Sequence, residues 1–183
     1  MRAAMLVAGL VVAMGGVAVS QVKASSMEAA APVRVSNRFE FMVEAPMERA
    51  APLFGPEGER CWAGERWDPK FVYPQPAKDQ QGAVFTVLHA GLKSVWVNTV
   101  FDLAGGRMQY VAMVPEAMVS TIDVQLRAAG TKATRVEVGY VRTALDAELN
   151  AHVTALGAQD RESGPEWAKA IAGCLAKQGA GGS

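Results

Sequence analysis

This chain is short of most of the residues from which reactive centres are built. It has two histidines, His89 and His152, far apart in the sequence, and no acidic cluster at ligand spacing, so no metal site is readable. Its two cysteines, Cys61 and Cys174, lack the close spacing of a redox pair, which argues against a disulfide oxidoreductase. Eighteen basic residues balance eighteen acidic ones. They are scattered rather than blocked, so neither a nucleic-acid surface nor a basic membrane-binding helix is indicated. No phosphate loop, dinucleotide fingerprint or nucleophile elbow occurs, and no cofactor is implied. Gly105-Gly106 reads as a hairpin turn.

Long apolar runs are also scarce, with one exception. After Met1-Arg2, the stretch Ala3–Val19 carries no polar side chain, and Ala18 and Ser20 place small residues where cleavage before Gln21 would need them. This is the layout of a secretory signal peptide over residues 1–20; an uncleaved inner-membrane anchor is the alternative. Cleavage would leave no stable membrane insertion. Export, in a bacterium to the periplasm, would permit one disulfide from the two cysteines; two buried thiols remain the other reading. Residues 21–32 are Ala- and Ser-rich and read as a linker, and the Gly-rich residues 178–183 as a disordered tail.

What the chain has in abundance is period-two alternation, which puts one set of side chains on one face of a sheet. Val33, Val35, Phe39, Phe41 and Val43 share a parity in a first strand, with a bulge expected near Asn37. Pro46 ends it, and two short helices follow, Met47–Leu53 and Glu57–Ala63, the second carrying Cys61 and Trp62. Strands Lys70–Tyr73 and Ala83–Ala90 lead into a meander. There Val95, Val97, Thr99, Phe101 and Leu103 are assigned to one face, and Trp96, Asn98, Val100 and Asp102 to the other. Met108, Tyr110, Ala112 and Val114 continue the pattern. So do Ser120, Ile122, Val124 and Leu126, and then Val136, Val138 and Tyr140. From Leu145 the period becomes helical, with Asp146 as a cap, an interruption over Gly157–Gly164, and a capping-box pattern at Ser163–Glu166. The last helix carries the stripe Trp167, Ile171, Cys174 and Leu175. One domain is expected, over residues 33–177. Its class is α+β: a curved antiparallel sheet of about seven strands, with two short helices after strand 1 and a C-terminal helix.

That order resembles the SRPBCC superfamily, the START-like or helix-grip fold whose bacterial members include polyketide cyclase/dehydrase-like proteins. The resemblance is carried by Phe39-Glu40-Phe41 running to Ala45-Pro46-Met47, by Trp67-Asp68-Pro69-Lys70-Phe71, and by Val138–Leu145 entering the last helix. It implies a sheet gripping the C-terminal helix, with a hydrophobic cavity between them for an apolar or amphipathic small molecule, lipid-like or polyketide-like. Trp67, Phe71, Phe101, Tyr110 and Tyr140 then become lining candidates, and Thr99, Tyr110, Tyr140 and Arg142 orienting polar ones. The same positions suit ordinary core residues, and Arg142, near a strand end, suits solvent. The resemblance also brings the second short helix beside the last one, so a Cys61–Cys174 disulfide is expected, worth on the order of 4 kcal/mol in the chain-entropy model. Two other functions stay open. One is a cyclase- or aromatase-like enzyme using Tyr110, Tyr140 or His89 as an acid–base group; the other is an envelope interaction module without a cavity. The sequence sets no oligomeric state.

Overall fold

The computed structural model describes residues 30–89 and 91–180, apart from the His89 side chain; the leader and most of the linker lie outside these residues. Seven strands form one antiparallel sheet: β1 (Arg34–Val43), β2 (Lys70–Tyr73), β3 (Val84–His89), β4 (Leu92–Asp102), β5 (Arg107–Val114), β6 (Met118–Ala128) and β7 (Thr134–Ala144). Their order across the sheet is β1-β7-β6-β5-β4-β3-β2, so each strand from β2 to β7 pairs with its sequence neighbour and β1 closes on β7. Between β1 and β2 lie α1 (Met47–Ala50), a 3-10 turn (Ala51–Phe54) and α2 (Pro56–Glu59). After β7 come a 3-10 turn (Ala147–Leu149), α3 (Asn150–Glu162) and α4 (Gly164–Ala180). Among the described residues no helix is long and apolar enough to cross a membrane.

The alternation read from the sequence holds along β1, β5, β6 and β7. Phe39, Phe41, Met108, Tyr110, Ile122, Val124, Leu126, Val136 and Val138 are all buried on one face. The other face is polar: Arg38 pairs with Glu137 at 2.8 Å, and Arg107 and Gln109 both reach Asp123. Such a one-sided sheet must be covered, and α4 covers it with Trp167, Ile171 and Cys174. Gly106, at φ +64°, turns the β4–β5 hairpin, and a Cβ there would meet the Leu126 carbonyl at 2.6 Å.

Several details differ from the sequence reading, each for a local reason. β1 runs in register along its whole length, with no bulge at Asn37. The bulge lies in β4, where the register with β5 slips between Asn98 and Val100. Before it, Ser94, Trp96 and Asn98 point inward; after it, Phe101 does. One extra residue reverses the parity that a uniform strand would keep.

The interruption expected over Gly157–Gly164 narrows to Ser163, because α3 continues through Gly157 to Glu162. Gly157 answers to packing instead: an added Cβ would sit 2.6 Å from the Asn37 amide nitrogen and 3.0 Å from a Val35 methyl, so only glycine lets α3 lie this close to β1. The helices part at Ser163, whose hydroxyl donates to the Gln159 carbonyl (3.1 Å) and so does not form the capping box. Asp146 does cap, accepting from the Glu148 amide at 2.8 Å. Finally, α4 runs to Ala180, so residues 178–180 are helical rather than tail.

Candidate functional site

Cys61 and Cys174 are joined in a disulfide with their Cα atoms 5.6 Å apart. It ties the turn after α2 to α4, and with them the two residues that face each other across the interior, Trp62 and Trp167 (ring centroids 4.9 Å). Trp62 is held from behind by its indole N–H, which donates to the Leu53 carbonyl at 2.6 Å. Trp67 is held likewise by the Pro56 carbonyl at 2.9 Å, and Trp96 by the Ser94 hydroxyl at 2.8 Å. Anchoring each indole nitrogen leaves the ring faces as walls.

These walls line a half-open cleft of about 210 Å³ between sheet, α2 and α4. All four tryptophans of the chain line it, with Tyr110 and Tyr140 from the sheet. Ile122 and Val124 form its floor, and the exposed Ala63 and Glu166 its rim. One further residue faces the space. Glu59, on the last turn of α2, carries a carboxyl that is offered no hydrogen bond among the described residues. Burial, and then the nearby charge of Asp79, push its pKa up to about 8, so at neutral pH it is a carboxylic acid. Asp79 is raised by burial too, opposed by the Glu57 and Gly58 amides, which donate to it at 2.9 and 3.2 Å. The Tyr110 hydroxyl donates to the Phe54 carbonyl. Burial raises both tyrosines well above the ordinary phenol value, so they stay neutral. A neutral acid in an apolar space can donate a hydrogen bond or a proton, or ionise against an incoming cation.

The residues singled out from the sequence divide cleanly. Trp67, Tyr110 and Tyr140 line the space. Phe71 and Phe101 are half-buried against the core without reaching it, Phe71 stacked on Phe85 at 5.6 Å. Thr99 is the bulged residue of β4; its hydroxyl bonds Gln109 at 2.9 Å on the polar face, away from the space. Arg142 is not solvated. Its guanidinium lies 4.4 Å from the Tyr140 ring centroid and makes a two-point pair with Asp160 of α3 at 2.7 and 2.6 Å. That pair seals the interior beside the space rather than lining it. His152 is exposed on α3.

Sequence reasoning missed Glu59 and set Trp96 on the wrong face. For Glu59, the one available signal was its place on the short helix that also carries Trp62, one turn further on. For Trp96 it was the parity conflict with Phe101, both large aromatics in one strand.

No family model matches the chain, and no curated protein matches it. Solved structures do. Norcoclaurine synthase from Thalictrum flavum superposes with a TM-score of 0.57 at 10% identity, over 93% of this chain and 98% of that one. The protein XoxI from Bacillus cereus gives 0.57 at 13% identity, over 79% and 98%. Ara h 8.0201 gives 0.53 at 15%, over 79% and 99%. Identities this low speak to fold alone. On that evidence the chain has the helix-grip fold.

Proposed function

We propose that this protein binds a compact apolar or amphipathic small molecule in the space between sheet and α4, as a binding protein rather than an enzyme. The observation that carries the reading is the gathering of all four tryptophans around one half-open cleft. Aromatic walls supply large apolar area at small entropic cost, and a ligand would recover the contacts those ring faces lack. At about 210 Å³ the space exceeds the cavity of about 150 Å³ that takes up benzene, and falls short of the roughly 300 Å³ of drug-sized sites. A ligand of one or two fused rings fits; a full-length lipid chain does not. Glu59 and the tyrosines are the polar groups that would orient it.

The disulfide supports export, so we place the mature protein in a bacterial periplasm.

Because every tryptophan lines the space, intrinsic fluorescence is a direct reporter. Titration with one- and two-ring compounds should give saturable quenching for some of them. Native mass spectrometry of protein taken from its own envelope without detergent should show extra mass that leaves on denaturation. No saturable change across the panel, together with a bare protein mass, would overturn the reading.

A further inference from the structure

The lining is asymmetric in charge. Two of its residues are acids, Glu59 and Glu166, and none is Lys, Arg or His. The basic side chains nearby are already taken: Arg142 by Asp160, and Arg60, next in the chain to Glu59, by Glu57 and Asp68 at 2.9 Å each. The Glu59 carboxyl therefore stands among tryptophan and tyrosine rings without an internal partner. A half-buried carboxyl that faces a cleft without an internal partner is free to take one from a ligand, and the partner a carboxylate favours is positive. Indole faces are the best aromatic partners of an organic cation.

Resting on the binding function proposed above, we infer that the occupant is a compact organic cation, an aryl- or alkyl-substituted ammonium. It is held on the indole faces, with the Glu59 carboxylate as its counter-ion and Glu166 at the rim.

The empty site then works by exchange. At neutral pH Glu59 holds a proton, and a cation entering the cage displaces that proton to solvent, leaving the net charge of the interior unchanged. Affinity should therefore rise by up to about tenfold per pH unit below pH 8 and level off above it. Of the other groups facing Glu59, Tyr110 and Tyr140 remain neutral through this range. Asp79, whose carboxylate accepts from the Glu57 and Gly58 amides of α2, repels a charged Glu59 and so keeps the proton on it while the site is empty.

The test compares phenyltrimethylammonium with tert-butylbenzene, which share a shape and differ in charge, by tryptophan quenching from pH 6 to pH 9. At pH 9 the cation should bind at least about tenfold more tightly, and the preference should shrink towards pH 6. Glu59→Gln should abolish the pH dependence and most of the preference, while Glu166→Gln leaves the pH dependence in place. Calorimetry of the wild-type protein in two buffers of different ionisation enthalpy needs no variant, and at pH 7 should show about one proton released per cation bound. Equal affinities for the two compounds, no proton release, or a preference that Glu59→Gln leaves intact would overturn the inference. Binding of tert-butylbenzene alone would overturn it while sparing the cavity reading, and binding of neither compound would count against both.

Discussion

Two acids, Asp160 in the interior and Glu59 half-buried at the cleft, are treated in opposite ways. Asp160 is 6% exposed and both its oxygens receive bonds from Arg142, whose remaining nitrogen reaches the Ser120 hydroxyl at 3.2 Å. Glu59 receives none. The first is a closed structural joint between β7 and α3. The second is an open valence facing a space. The difference teaches where to look for function in a fold shared by unrelated activities: at the polar group that faces a cleft and is not satisfied by the protein itself.

The comparison can be broken from either side. The largest effect is expected at the disulfide, which holds the Glu59 wall against α4 and closes a loop with 113 residues of separation. Cys61→Ser combined with Cys174→Ser should cost about 4 kcal/mol in urea denaturation, and unfolded, unreduced wild-type protein should present no free thiol to titration. Next comes the closed joint. Arg142→Ala strands the Asp160 carboxylate in the interior and should cost about 3 kcal/mol, whereas Arg142→Met with Asp160→Leu should recover most of it. If the single and double variants were equally destabilised, the joint would owe its value to packing rather than to charge.

Glu59 should behave in the reverse sense. Between its ordinary value of 4.5 and its folded value of about 8, the folded chain holds a proton that the unfolded chain has lost. Stability therefore falls as pH rises through that window and is flat above it. Glu59→Gln should remove this contribution and be more stable than wild type at pH 8, by a margin of a few kcal/mol that vanishes near pH 4. Thermal melts across pH check both the sign and the window. The smallest effect belongs to Thr99→Val on the polar face, which loses the half-buried hydroxyl shared between the Gln109 carbonyl and side chain and should cost no more than about 1 kcal/mol while leaving tryptophan quenching by any ligand unchanged.

The readable part of the site was the part written in continuous periodicity. Tyr110 and Tyr140 fall on the inner face because β5 and β7 keep their registers to the end, and each side chain's parity follows from its neighbours. Thr99 and Trp96 exchanged faces because a single bulged residue shifts parity without leaving a mark in the hydrophobic pattern: valines occupy both sides of β4. Arg142 was placed by its nearness to a strand end, a one-dimensional criterion. What buries it is Asp160, eighteen residues away on a helix that folds back over the strand.

The sequence alone determined the strand order, the turn from sheet to helix near Leu145, the polar and apolar faces of four strands, and, through a family likeness, the pairing of Cys61 with Cys174. These depend on local period and on connectivity, which a chain carries in its own order. Only the tertiary structure decided which residues share the cleft. The two short helices have no long period to read, and they set Glu59 and Trp62 opposite Trp167 purely through how they dock on the sheet and on α4. A carboxyl's meaning depends on its surroundings, and the residues that line the cleft with Glu59 include ones from β4, β5, β6, β7 and α4.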